Sequence, residues 1–166
     1  LDSALAPALA AVRALDRARP SASFSVKDSY GVLPLERAGF RVLFEAEWIY
    51  RPAPLLHEHS LPSPWFKVGS ESALSAWESV WGESLGKPRV FLPALLARSE
   101  IAILARLGSA GAIAAGVVAH RTDNVVGLSN LFASNDDSGC GRAECIDAAS
   151  AAFPGLPLVG YEAVQA

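Results

Sequence analysis

The stretch Gly111–Ala133, GAIAAGVVAHRTDNVVGLSNLFA, decides the fold. Two apolar runs meet at Asp123-Asn124, a connection of turn-forming residues. Ala110–Arg121 and Val125–Ala133 therefore pair as an antiparallel hairpin. On the N-terminal side, Gly108-Ser109 joins a third apolar run, Glu100–Arg106, which adds another antiparallel strand. On the C-terminal side, Asn135–Arg142 (NDDSGCGR) is polar and contains glycine. Ala143–Phe153 then places Ile146, Ala149 and Phe153 on one helical face, and Pro154-Gly155 stops that helix. Leu156–Tyr161, within LPLVGYE, reads as a final buried strand. A strand, helix and strand in this order form a crossover that runs parallel and right-handed.

Upstream, Trp65–Val68 predicts a short strand. Ser70 is placed to cap a helix whose Leu74, Trp77, Glu78 and Trp81 share one face, and Pro93–Arg98 predicts a second short helix. Residues 52–64 carry four prolines and His57-Glu58-His59, the composition of a surface connection. Before it, Phe40, Val42, Phe44, Ala46, Trp48 and Tyr50 alternate with Arg41, Leu43, Glu45, Glu47 and Ile49, predicting one long strand. Leu5, Leu9, Val12 and Leu15 predict an amphipathic helix ending before Pro20. The expected organisation is an N-terminal helix and strand extension over 1–64 and an α+β domain over 65–166. The sheet of that domain is mixed: antiparallel strands followed by a βαβ crossover, flanked by helices.

Composition narrows the function classes. With 166 residues, 51% hydrophobic and 19% charged, the chain has the material for a core. A net charge of −3 lacks the bulk electrostatic footprint of a nucleic-acid binder, so no nucleic-acid partner is expected. Ile101–Ala119 is apolar enough to raise a membrane span. Arg106 at its centre would cost about 2.5–3.5 kcal/mol in lipid, and two strands around a turn suit it better, so no membrane partner is expected either. Residues 1–19 lack the uninterrupted apolar run of a signal peptide. Cys140 and Cys145 are too few for a disulfide framework, which points to a reducing cytoplasm. They cross from loop into helix five residues apart, a spacing that suits neither a metal pair nor a redox motif. His57 and His59 have no third ligand at a clear spacing, so no metal is expected. The absence of methionine implies trimmed ends.

The order of elements, with GAIAAGVVAHRTDNVVGLSNLFA, a helix and LPLVGYE at its centre, resembles the GCN5-related N-acetyltransferase (GNAT) superfamily over about residues 65–162. The resemblance implies a site for acetyl-CoA or another acyl-CoA, and transfer of the acyl group to a small-molecule or peptide amine. It further implies that the fourth and fifth strands of that fold splay apart, that the pantetheine arm pairs with Leu131, Phe132 and Ala133, and that a bulge near Ser129-Asn130 opens the gap; the other reading of these two polar residues is a strand-end turn. It places the cofactor pyrophosphate on Gly139, Gly141, Arg142 and Ala143. It also implies a further helix and a closing strand pair beyond Ala166. Two features depart from the family pattern: the loop, where no basic residue leads Gly139–Gly141 and Asp136 and Asp137 stand where an anion would approach, and the end, where that further helix and strand pair are expected beyond Ala166.

Glycines permit close backbone approach, and a helix start adds about half a positive charge, so this loop is suited to phosphate. The other reading is a surface loop whose aspartate caps the helix. Tyr161 is placed to donate a proton to the leaving thiolate. Glu162, or Glu45 or Glu47, is placed to take the proton of the amine. Two other readings stand beside the enzyme: a non-catalytic, ligand-binding or regulatory GNAT-like module, and a structural partner domain whose N-terminal strand pairs with another chain. A homodimer is a separate expectation.

Overall fold

The computed structural model describes residues 25–53, 61–83, 90–109, 111–133 and 141–163, together with 6, 7, 9–11, 13, 14 and 17. Two compact units divide the chain, Leu1–Glu45 and Ala46–Ala166. In the first, the described residues between 6 and 17 are helical, as the leucine spacing predicts. Farther on, Asp28 folds the chain into a turn by accepting the backbone N–H groups of Tyr30 and Leu33, at 3.2 and 2.7 Å. A 3-10 helix over Leu35–Ala38 then ends on Gly39, whose φ of +88° is left-handed.

The second unit is one six-stranded mixed sheet in the order β1-β6-β5-β4-β3-β2. Its strands are β1 (Ala46–Arg51), β2 (Trp65–Lys67), β3 (Ile101–Leu107), β4 (Ile113–Thr122), β5 (Val125–Ala133) and β6 (Leu158–Ala163). Helix α1 (Glu71–Glu83) precedes a 3-10 helix over Pro93–Ala97, and α2 (Arg142–Ala152) crosses from β5 to β6. The strands β2 to β5 pair antiparallel, and β5 and β6 pair parallel. This is the α+β arrangement expected from the sequence. β5 has the bounds read from its residues, and the ends of β2, β3, β4, α2 and β6 lie within three residues of those expected.

Two expectations are corrected. The alternating stretch 40–50 is a strand only from Ala46, because backbone donors and acceptors there find a partner in β6, residue for residue from Ala46↔Ala163 to Arg51↔Leu158. Residues 41–45 carry the same alternation without regular structure. In consequence β1, expected within the extension, is an edge strand of the main sheet. The helix expected at Pro93–Arg98 is a single stretch of 3-10 turns.

Each face of the sheet carries its own core. On one, Trp65, Leu104, Val117, Val126 and Leu158 pack with Cys145, Ala148 and Ala149 of α2, whose small side chains let the helix lie close. On the other, Val68, Leu74, Trp77, Ile103 and Ala105 pack together beneath α1. Ser70 caps α1 as expected, its Oγ accepting the Ala73 N–H at 3.2 Å. Trp77 is fully buried and donates its indole N–H to the Leu104 carbonyl at 2.9 Å. It stacks near Trp81 and meets Phe91 and Phe132 edge-on. Glu78, 4% exposed, accepts the backbone N–H groups of Val90 and Phe91. A buried carboxylate is tolerated because it satisfies backbone donors, and here it fixes the segment that follows α1.

Candidate functional site

β5 and β6 touch as paired strands at two positions, Val126↔Leu158 and Gly127↔Val159. Past that point they diverge, and β6 continues against β1 instead. The cause lies in β5. Between Val118↔Ser129 and Gly116↔Phe132, the residues Asn130 and Leu131 stand against Val117 alone, which is a β-bulge. Asn130 has φ of +53°, the left-handed conformation that asparagine tolerates better than most side chains. One extra residue reverses the alternation. Leu128 ahead of the bulge and Leu131 and Ala133 after it all pack toward the α2 core, while Phe132 turns to the opposite face.

The divergence leaves a groove of about 340 Å³. One wall is Leu128, Ser129, Asn130 and Leu131 of β5, and another is Val159 to Ala163 of β6. Arg142 and Ile146, one turn apart on α2, and Ile49 and Arg51 of β1 complete it. Gly160 keeps the floor low. A Cβ built there would meet Leu128 Cβ, on the facing wall, at 3.9 Å, an ordinary contact. On the β6 side of β5, the backbone beyond Gly127 has no strand partner among the described residues.

Helix α2 begins at the groove. Gly141, its N-cap, is extended, and no side chain caps the first turn among the described residues. The aspartates of the alternative reading, Asp136 and Asp137, lie outside the described residues. Carboxylates and arginines pair around this helix. Arg142 meets Glu162, Arg106 meets Glu144 at 3.2 Å, and Arg51 meets Asp147 at 2.7 Å. The Arg142 and Glu162 side chains are 70% and 50% exposed, so their pair is worth about 0–1 kcal/mol and exchanges readily. Arg106, only 14% exposed, is held more firmly.

The residues singled out from the sequence fall as follows. Leu131, Arg142, Tyr161 and Glu162 line the groove together. Gly141 and Ala143 stand at the exposed start of α2. Phe132 lies on the other face against Trp77, and Ala133 pairs with Ala115 of β4. Tyr161 is 45% exposed, directly across from Trp48, with ring centroids 6.2 Å apart. Glu47 stands directly across from Glu162, and Glu45 falls in the first unit. Gly139, Cys140, Asp136 and Asp137 lie outside the described residues, as do His57 and His59. Among the described residues no group of three metal-ligating side chains comes together. No described helix is long and apolar enough to cross a membrane.

Sequence reading missed Ile49, Arg51, Ile146 and the charge of Arg106 at the start of α2. Helical spacing from Arg142 marks Ile146. The pairing of 46–51 with 158–163, more than a hundred residues apart, has no local signal.

No family model and no curated protein matches this chain. Nine chains of known structure do. One is a conserved protein of unknown function from Staphylococcus epidermidis, with TM-score 0.52 and 13% identity over 86% of this chain and 60% of that one. Another is a GCN5-related N-acetyltransferase from Kribbella flavida, with TM-score 0.43 and 14% identity over 72% of this chain and 48% of that one. A third, from the GNAT family of Novosphingobium aromaticivorans, gives 0.45 and 13% over 79% and 67%. The chain thus spans about 60% of the length of the first.

Proposed function

We propose that this chain is an acyl-CoA-dependent N-acyltransferase of the GNAT type, acting on a primary amine, with residues 65–166 and β1 forming the acyl-CoA-binding part. The observation that carries the reading is the parting of β5 from β6 after two residue pairs, at a bulge centred on Asn130, with the Gly141 start of α2 at the open end.

The groove meets three needs of such a ligand. Its apolar walls, Leu128, Leu131 and Ile146, suit a pantetheine arm, and the β5 backbone beyond Gly127, without a strand partner among the described residues, offers that arm hydrogen bonds. The start of α2 offers backbone N–H groups, and Arg142 a full charge, to phosphate. Acyl-CoA supplies a thioester carbonyl activated toward attack. Arg142 exchanges its exposed partner Glu162 for phosphate, and Glu162 is then unneutralised and able to take the proton of an incoming ammonium. Tyr161, on the adjacent position of β6, holds the proton that a leaving thiolate requires. The acidic Glu47 across from Glu162 favours a cationic acceptor at this end of the sheet.

The experiment is thermal unfolding with acetyl-CoA beside free adenine nucleotide, for the wild type and Gly160→Leu. At about a hundred times Kd, binding adds about 2.7 kcal/mol, a rise of about 5–10 °C for a chain of this size. The rise should occur with acetyl-CoA and vanish in Gly160→Leu, whose side chain fills the groove. No rise with the wild type rejects the proposal. A rise without thiol release across a panel of amines selects the non-catalytic binding module instead.

A further inference from the structure

We propose that the outer edge of β1 is a self-complementary interface, through which two copies of this chain join into one continuous antiparallel sheet. This rests on β1 alone and is independent of the acyl-transfer reading. β1 is the outermost strand among those described, and all six of its residues are exposed. Trp48, Ile49 and Tyr50 are 54%, 48% and 64% accessible. A proline or a bulge ordinarily protects an edge strand, and Ala46–Arg51 has neither. Its two charges, Glu47 and Arg51, are opposite in sign and four residues apart.

That spacing selects a register. Two copies related by a two-fold axis normal to the sheet must place residues of the same face across from each other. With the axis at Ile49, Glu47 faces the second copy's Arg51, and Arg51 faces its Glu47. Trp48 faces the second copy's Tyr50 twice over, and Ile49 meets itself. Opposite charges, an aromatic pair and a β-branched pair are all favourable cross-strand neighbours. Moving the axis to Trp48 sets Glu47 against Ile49, and moving it to Tyr50 sets Ile49 against Arg51. Within the strand, only the central register matches both charges.

The existing structure accommodates it. Arg51 uses one guanidinium nitrogen on Asp147, and the fork retains donors for a second carboxylate. Glu47, now across from Glu162, gains a cation on its other side. Ile49 and Arg51 also line the groove, so the second copy would buttress its outer wall.

Sedimentation velocity across a micromolar concentration series tests this. The wild type should sediment at twice its 17.4 kDa. Glu47→Arg and Arg51→Glu each set like charges together twice and should weaken the dimer about tenfold or more, while the double variant restores it. Circular dichroism of each variant checks that it folds. Independently, Ile49→Cys in a Cys140→Ser background should cross-link to its own mate under mild oxidation, because directly opposed Cα atoms fall within disulfide reach. Trp48→Cys should not. A monomeric wild type, a dimer indifferent to Glu47→Arg, a double variant that stays monomeric, or Ile49→Cys that fails to cross-link overturns the proposal.

Discussion

Asn130 of β5 is the residue in excess opposite Val117 of β4, and its left-handed backbone is where the sheet parts. Glycine occupies that conformation without a side-chain penalty, so Asn130→Gly should keep both stability, within about 1 kcal/mol, and the groove. Asn130→Val should cost about 1–3 kcal/mol, because a β-branched residue is strained there. Deleting Asn130 removes the bulge and turns Leu131 and Ala133 to the opposite face. That variant should lose any acetyl-CoA-induced rise in unfolding temperature. Denaturant titrations and thermal shifts distinguish the three.

The bulge also shows how far the sequence is legible. Ser129-Asn130, two polar residues inside an apolar strand, mark it locally, and β5 is read to the residue. Apolar period and turn residues mark β3, β4 and α2 in the same way, because each depends on neighbours close in the chain. The partner of β6 is different. Hydrogen bonding between 46–51 and 158–163 is a tertiary choice, and 40–45 alternates equally well without a strand partner among the described residues. Likewise Glu162 is legible as a candidate base, but its pairing with Arg142 arises only once α2 folds back over the sheet.

Gly116 tests the packing on the opposite face. A Cβ there would lie 2.6 Å from Phe132 Cε1 and closer still to Trp77 Nε1. Since Trp77 is anchored to the Leu104 carbonyl, it cannot move aside without leaving a buried acceptor unpaired. Gly116→Ala should therefore destabilise the chain by about 1–3 kcal/mol, with a change in tryptophan emission. An unchanged denaturation midpoint would show that the ring pair shifts freely.

In the first unit, Asp28 gives a pH dependence of known sign. The Leu33 N–H, with smaller help from Tyr30, holds its carboxyl below the ordinary aspartate value of 3.8, while partial desolvation opposes this. A group with a lowered folded pKa contributes stability above its unfolded pKa and loses it as pH falls through the folded one. The turn over Asp28–Leu33 should hold at neutral pH and loosen only below 3.8. The Leu33 amide resonance, followed against pH, should titrate with a midpoint under that value, and Asp28→Asn should abolish the titration. A midpoint above it would contradict the hydrogen-bonded carboxylate.

The Arg142–Glu162 pair separates binding from turnover. If Arg142 exchanges Glu162 for phosphate, each partner has its own signature. Arg142→Glu reverses the charge at the helix start and repels Glu162, so it should abolish acyl-CoA binding. Glu162→Gln releases Arg142 from a competing carboxylate, so it should bind acyl-CoA at least as tightly as the wild type. Lacking a base, it should transfer the acyl group about 10²–10⁴-fold more slowly. Calorimetric titration reads the first effect and thiol release the second. If Glu162→Gln weakened binding and left kcat unchanged, the glutamate would be holding α2 in place rather than moving a proton.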